Sequence, residues 1–113
     1  MKGEPSHFEI GVAEATRAKR FFADLLGWEF EAFGQGEAAV VRTPTVRGGL
    51  HDGVQQPSIT IYFEVEDIDR AVDLVRSLGG KAEQPSPAEP GFGRFAHCED
   101  DQGLRFGLNE RPK

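Results

Sequence analysis

Between residues 8 and 27 the apolar positions change period once. Phe8, Ile10 and Val12 alternate with other residues, the spacing of a strand with one buried face. Ala18, Phe21, Phe22 and Leu25 then recur at three- and four-residue steps, the spacing of an amphipathic helix. The same change returns 53 positions on, where Ile61, Phe63 and Val65 alternate and Ile68, Ala71, Val72, Val75 and Leu78 follow at helical spacing. Val12 falls on Val65, Arg17 on Arg70, Ala18 on Ala71, Leu25 on Leu78 and Gly27 on Gly80, so one unit is present twice. Asp67 is a good N-cap and Glu14 a poorer one, while Gly27 and Gly79-Gly80 stand where a left-handed residue ends a helix.

The remaining segments complete each unit in the same order. Trp28, Phe30 and Ala32 alternate with Glu29 and Glu31, Gly34-Gln35-Gly36 offers a turn, and strands are predicted over 37–42 and 46–51. After a linker at 52–58, the second unit reads as a strand over 60–66, a helix over 68–78, and strands over 81–84, 94–99 and 104–108. Each unit is therefore βαβββ, module one covering 7–51 and module two 59–108 of a single α+β domain over 1–113. Residues 1–6 and 109–113 are expected to be a loose leader and tail. Pro85, Pro87, Pro90, Gly91 and Gly93 crowd a loop without equal in module one, which reads as a connector or as the rim of a site.

Composition narrows the partners. A chain of 113 residues buries one modest core, so the two modules must pack together or with a second chain. Acidic residues outnumber basic ones 19 to 13, which removes the electrostatic drive toward nucleic acid or an anionic membrane. One cysteine, no apolar run of spanning length and a polar start predict a reducing, cytoplasmic location.

The doubled βαβββ pattern, the run Val12-x-Glu14-x-x-Arg17-Ala18-x-x-Phe21-Phe22-x-x-Leu25-x-Gly27-Trp28 and the turn Asp100-Asp101-Gln102-Gly103-Leu104 resemble the vicinal oxygen chelate superfamily of glyoxalases, bleomycin-resistance proteins and extradiol dioxygenases. The resemblance covers about residues 7–108 and implies a curved mixed sheet that forms a cup around a metal or small ligand. In the metal-binding members the ligands lie on the first and last strands of each unit. Carried over, those positions are His7, Gly49, Thr60 and Gly107, of which only His7 is a metal donor. A first-row ion normally needs three or more protein donors, so this departure from the family's pattern argues against a bound ion, and a metal-free site with no cofactor is expected.

Alternation identifies what faces the cup. With Phe8, Ile10, Val12, Ile61, Phe63 and Val65 toward the helices, the opposite face carries His7, Glu9, Thr60, Tyr62 and Glu64. The last strands add His51, Arg105 and, one step earlier, Arg47. These eight are the candidate ligand-binding residues. Each also has a structural reading, as salt bridges on a wet sheet face or, for Tyr62, as a packed ring. His97 and Cys98 point to opposite faces of one strand and cannot form a nucleophile pair, so Cys98 reads as packing. Gly48-Gly49 and Gly107 either leave room for a flat guest or only permit curvature.

The predicted function is binding of a small organic molecule in a metal-free cup, by a homodimer whose twofold partner covers edge strands. The alternative is a lyase, isomerase or dioxygenase with an atypical ion held by His7 and Glu9, Glu64 or His51. A third reading, docking of a protein partner, would require an exposed apolar patch.

Overall fold

The structure is a computed structural model and describes residues 3–112. The described elements run β1 (Glu4–Gly11), α1 (Ala15–Leu26), β2 (Glu29–Ala32), β3 (Ala39–Arg42), β4 (Arg47–His51), β5 (Ser58–Glu64), α2 (Ile68–Ser77), β6 (Lys81–Ala82), β7 (Arg94–Glu99) and β8 (Arg105–Glu110). The doubled βαβββ order is the α+β architecture that the repeat predicts. The chain clusters into two compact units, residues 7–60 and residues 61–112 together with 3–6.

In the first unit the strands lie in the order β2, β3, β4, β1, with β1 and β4 parallel and the other neighbours antiparallel. Ile10, Val41 and Leu50 point to α1 and pack with Ala15 and Ala18, flanked by Phe8, Phe22 and Trp28. Phe22 stacks on Trp28 with ring centroids 5.1 Å apart, and Phe8 lies 5.3 Å from the same indole. In the second unit the order is β6, β7, β8, β5, with β5 and β8 parallel. There Ala96, Cys98 and Leu108 pack against Ile68 and Val72 of α2. Most inward residues are those that period-two alternation assigns, but Ile61, assigned to the helix side, is exposed and lies outside the core, and Tyr62, assigned to the open face, is buried.

The helix ends follow one plan in both units. Gly27 ends α1 at φ 75°, and its N–H donates to the Ala23 carbonyl at 2.9 Å. Gly79 ends α2 at φ 95°, and the Gly80 N–H donates to the Val75 carbonyl at 2.9 Å. At the N-termini the Ala15 N–H donates to Asp52 at 2.7 Å and the Ile68 N–H to Glu110 at 2.8 Å. Asp67 accepts from the Arg70 N–H at 3.2 Å as expected of an N-cap, whereas Glu14 makes no capping bond. A carboxylate at the end of the module's last strand, or one residue past it, thus takes one orphan helix donor in each unit.

Several expectations are corrected. The leader is ordered from residue 4, where β1 begins, and the Gly3 N–H donates to the Glu64 carbonyl at 2.8 Å. Met1 and Lys2 lie outside the described residues, as does Lys113. The tail is not loose at its start, because β8 runs through Asn109 to Glu110 and Glu110 is buried as the α2 cap. Phe21, Leu25 and Leu78, counted into the apolar helix faces, are 61%, 63% and 70% exposed. The helices bury a narrower stripe centred on Ala15 and Ala18 in one case and Ile68 and Val72 in the other. The proline-rich loop extends the β7 edge: Phe95 N–H donates to Ser86 Oγ and Ser86 N–H to the Phe95 carbonyl, at 3.0 and 2.8 Å.

Candidate functional site

Module one gathers its polar residues around Glu9. Because Ile10 faces the helix, Glu9 and His7 face away from it, and parallel pairing sets Glu9 opposite Gly49 and Gly11 opposite His51. His7 Nε2 meets one Glu9 carboxylate oxygen and His51 Nε2 meets the other. An ionised carboxylate only accepts, so both imidazole nitrogens donate. Burial alone would push the Glu9 pKa up, but the bonds and charges of His7 and His51 together outweigh it, and the carboxyl is held below the usual glutamate range. The Glu9 side chain is 25% exposed, that of His7 20% and that of His51 59%, so the cluster lies open on the His51 side.

Module two builds a different polar centre at the equivalent place. Tyr62, the repeat counterpart of Glu9, is paired with Gly107, which pairs on its other side with His97. The Tyr62 hydroxyl donates to His97 Nε2 at 2.7 Å, and His97 Nδ1 lies 3.3 Å from Glu83. The carboxylate requires a proton on Nδ1, which leaves Nε2 as the acceptor for the phenol. Both ring nitrogens are therefore engaged, and Tyr62 is only 4% exposed. Phe95 stands edge-on to Tyr62 at 6.4 Å and completes the packing. This centre holds a buried phenol in place.

The other candidates separate. Glu64 is buried and accepts from Arg111 Nε at 2.6 Å, so it joins neither centre. Arg47 is exposed on β4 opposite His7. Thr60 is half-buried and Arg105 exposed, and neither side chain has a hydrogen-bond or ion-pair partner among the described residues. The sequence reading missed Glu83 and His97. Alternation carried the signal for His97, which shares a strand face with Phe95, opposite Ala96 and Cys98. Asp52 and Glu110 gave no local signal, because each caps a helix far away in sequence.

The glycines do not open space. A Cβ on Gly107 would collide with the Tyr62 ring, one on Gly49 with the Glu9 carboxylate, and one on Gly48 with the Phe8 ring. The volume beside each is taken by a neighbouring side chain of the same module.

The sequence model of the Glyoxalase/Bleomycin resistance protein/Dioxygenase superfamily matches residues 5–108. The chain belongs to that superfamily. Mycobacterium tuberculosis "Putative glyoxylase CFP32" is 27% identical over 120 residues, which is 95% of this chain and 45% of that protein. The chain therefore spans less than half the length of this curated relative. A "Glyoxylase-like domain-containing protein" of Didymella fabae is 26% identical over 99% of this chain and 97% of its own length. Among solved structures, methylmalonyl-CoA epimerase from M. tuberculosis superposes with TM-score 0.74 at 18% identity, over 97% of this chain and 89% of the epimerase. A variant of homoprotocatechuate 2,3-dioxygenase from Brevibacterium fuscum gives 0.79 at 17% identity, over 99% of this chain and 33% of the dioxygenase. Identities this low establish the shared fold alone.

The superfamily's metal can be tested against the residues present. Its four ligand positions hold one imidazole, one hydroxyl and two glycines, and the space beside the glycines is filled by Glu9 and Tyr62. This donor set does not fit a first-row ion.

Proposed function

We propose that the chain binds a small organic molecule on the strand face of module one, with Glu9, His7 and His51 as its polar anchor and no metal ion. The observation that carries this reading is the Glu9 carboxylate, ionised and held between two imidazole donors on an open face. Such a group offers charge and hydrogen bonds in a fixed geometry, which is what a small-molecule site needs beyond concavity and apolar walls. Arg47, opposite His7, adds a cation beside it. The buried thiol of Cys98, whose pKa burial pushes up, suits a reducing, cytoplasmic setting. We also propose that two copies pair as a homodimer, since 113 residues bury only a modest core and leave large apolar helix residues such as Phe21 and Leu25 exposed.

An ion held by His7, Glu9 and His51 is the competing reading, favoured by the convergence of these three side chains. It is the weaker one because each imidazole is matched to its own carboxylate oxygen.

A thermal-shift screen of small organic acids, phenols and carbonyl compounds tests the proposal. A hit should raise the melting temperature in the presence of EDTA and lose its effect in folded Glu9→Gln and His51→Ala variants. A hit that needs added metal would overturn the metal-free reading.

A further inference from the structure

We propose that the outer flank of α1 is the surface on which a second copy of the chain docks, the two helices running antiparallel about a twofold axis at Phe21. This deepens the homodimer reading and rests on it. Phe21 and Leu25, one helical turn apart on this flank, are 61% and 63% exposed, although each is large and apolar. Phe21 is held by an edge-on contact to Phe22 at 5.2 Å, which fixes an aromatic anchor before binding. Beside it lies an open depression whose apolar floor of Val12, Ala18 and Phe22 is rimmed by the charged Glu14, Arg17, Arg20 and Asp24.

Charge selects the partner and its direction. Arg17 precedes Phe21 by one helical turn and Asp24 follows it by nearly one, both on the same flank. Asp24 has no ion-pair or hydrogen-bond partner among the described residues, and Arg17 has only an exposed contact to Glu14 at 3.1 Å. With Phe21 set against its own copy in an antiparallel pair, Arg17 meets the partner's Asp24, and twofold symmetry makes the contact twice. A parallel pair would set like charges together and is disfavoured. The matching flank of α2 shows what is special here. It also exposes Leu74 and Leu78, at 58% and 70%. However, the repeat places Ser77 where α1 has Asp24, and Asp73 is already paired with Arg76 at 3.6 Å.

Sedimentation of the full chain at about tens of micromolar, where a standard-sized interface is occupied, tests the inference. The wild type should be a dimer. Phe21→Glu should weaken association about 30-fold or more, the scale of a central aromatic anchor, while Leu74→Glu should leave it unchanged. Arg17→Asp and Asp24→Arg should each weaken the dimer, and the double swap should restore it, which also guards against loss of folding in any one variant. A monomeric wild type would overturn both the surface and the homodimer. A dimer that tolerates Phe21→Glu, or a double swap that fails to restore association, would overturn the surface and leave the homodimer standing.

Discussion

Glu9 illustrates how two opposing effects set the charge of one side chain. Burial disfavours its carboxylate, and the His7 and His51 donors favour it by more, so its folded pKa lies below the usual value. A group with a depressed folded pKa contributes stability above its unfolded pKa and loses that contribution as pH falls through the folded one. We expect the wild type to lose stability through this acid window and the Glu9→Gln variant to show a flatter acid limb, measured by urea unfolding at stepped pH. At neutral pH Glu9→Gln should cost about 1.5–3 kcal/mol, the scale of a charge-assisted hydrogen bond. Equal pH profiles would show that the two imidazoles do not hold the carboxylate.

Gly107 and Gly49 make a paired test at the same scale. A methyl on Gly107 meets the ring of buried Tyr62, which cannot swing away, so Gly107→Ala should destabilise by about 1–3 kcal/mol. The loss should be partly relieved in a Tyr62→Leu background. At Gly49 the obstacle is the far end of the flexible Glu9 side chain, so Gly49→Ala should cost less. Equal losses at the two positions would contradict the packing described. The glycines were visible in the sequence as places of close approach. What approaches them was not, because that depends on cross-strand register.

The elements were legible where periodicity is local. Strand alternation placed Ile10, Leu50 and Leu108 on the helix side, and Asp67, Gly27 and Gly79 marked helix ends as the structure has them. Two things were hidden. Residues 4–6 and 109–110 carry no apolar run, yet they extend β1 and β8 because backbone ladders continue past the amphipathic stretch. The Ala15 and Ile68 amides are capped by Asp52 and Glu110 from after β4 and at the end of β8, contacts no sequence window contains. Their removal gives an element-scale expectation. Asp52→Ala should cost about 1 kcal/mol, and Glu110→Ala more, since Glu110 is 7% exposed and its loss leaves a buried amide without a partner. Denaturant midpoints of the two variants check the order, and a larger loss at Asp52 would reverse the argument.

For the whole molecule, the repeat and its two caps sufficed to indicate the superfamily fold, while the site depended on which polar residues register brings together. His7, Glu9 and His51 converge, Glu64 is drawn to Arg111, and Thr60 and Arg105 stand apart. The superfamily's metal positions here offer a single imidazole, so the central claim is that this member works without an ion. Elemental analysis of the purified chain tests it most directly. We expect far less than one Zn, Ni, Fe or Mn per chain and no change in melting temperature with EDTA, because an ion bound tightly to the native state would raise its stability. Near one equivalent of metal per chain, lost on His7→Ala together with a chelator-sensitive melting temperature, would contradict the account and make His7, Glu9 and His51 a metal centre.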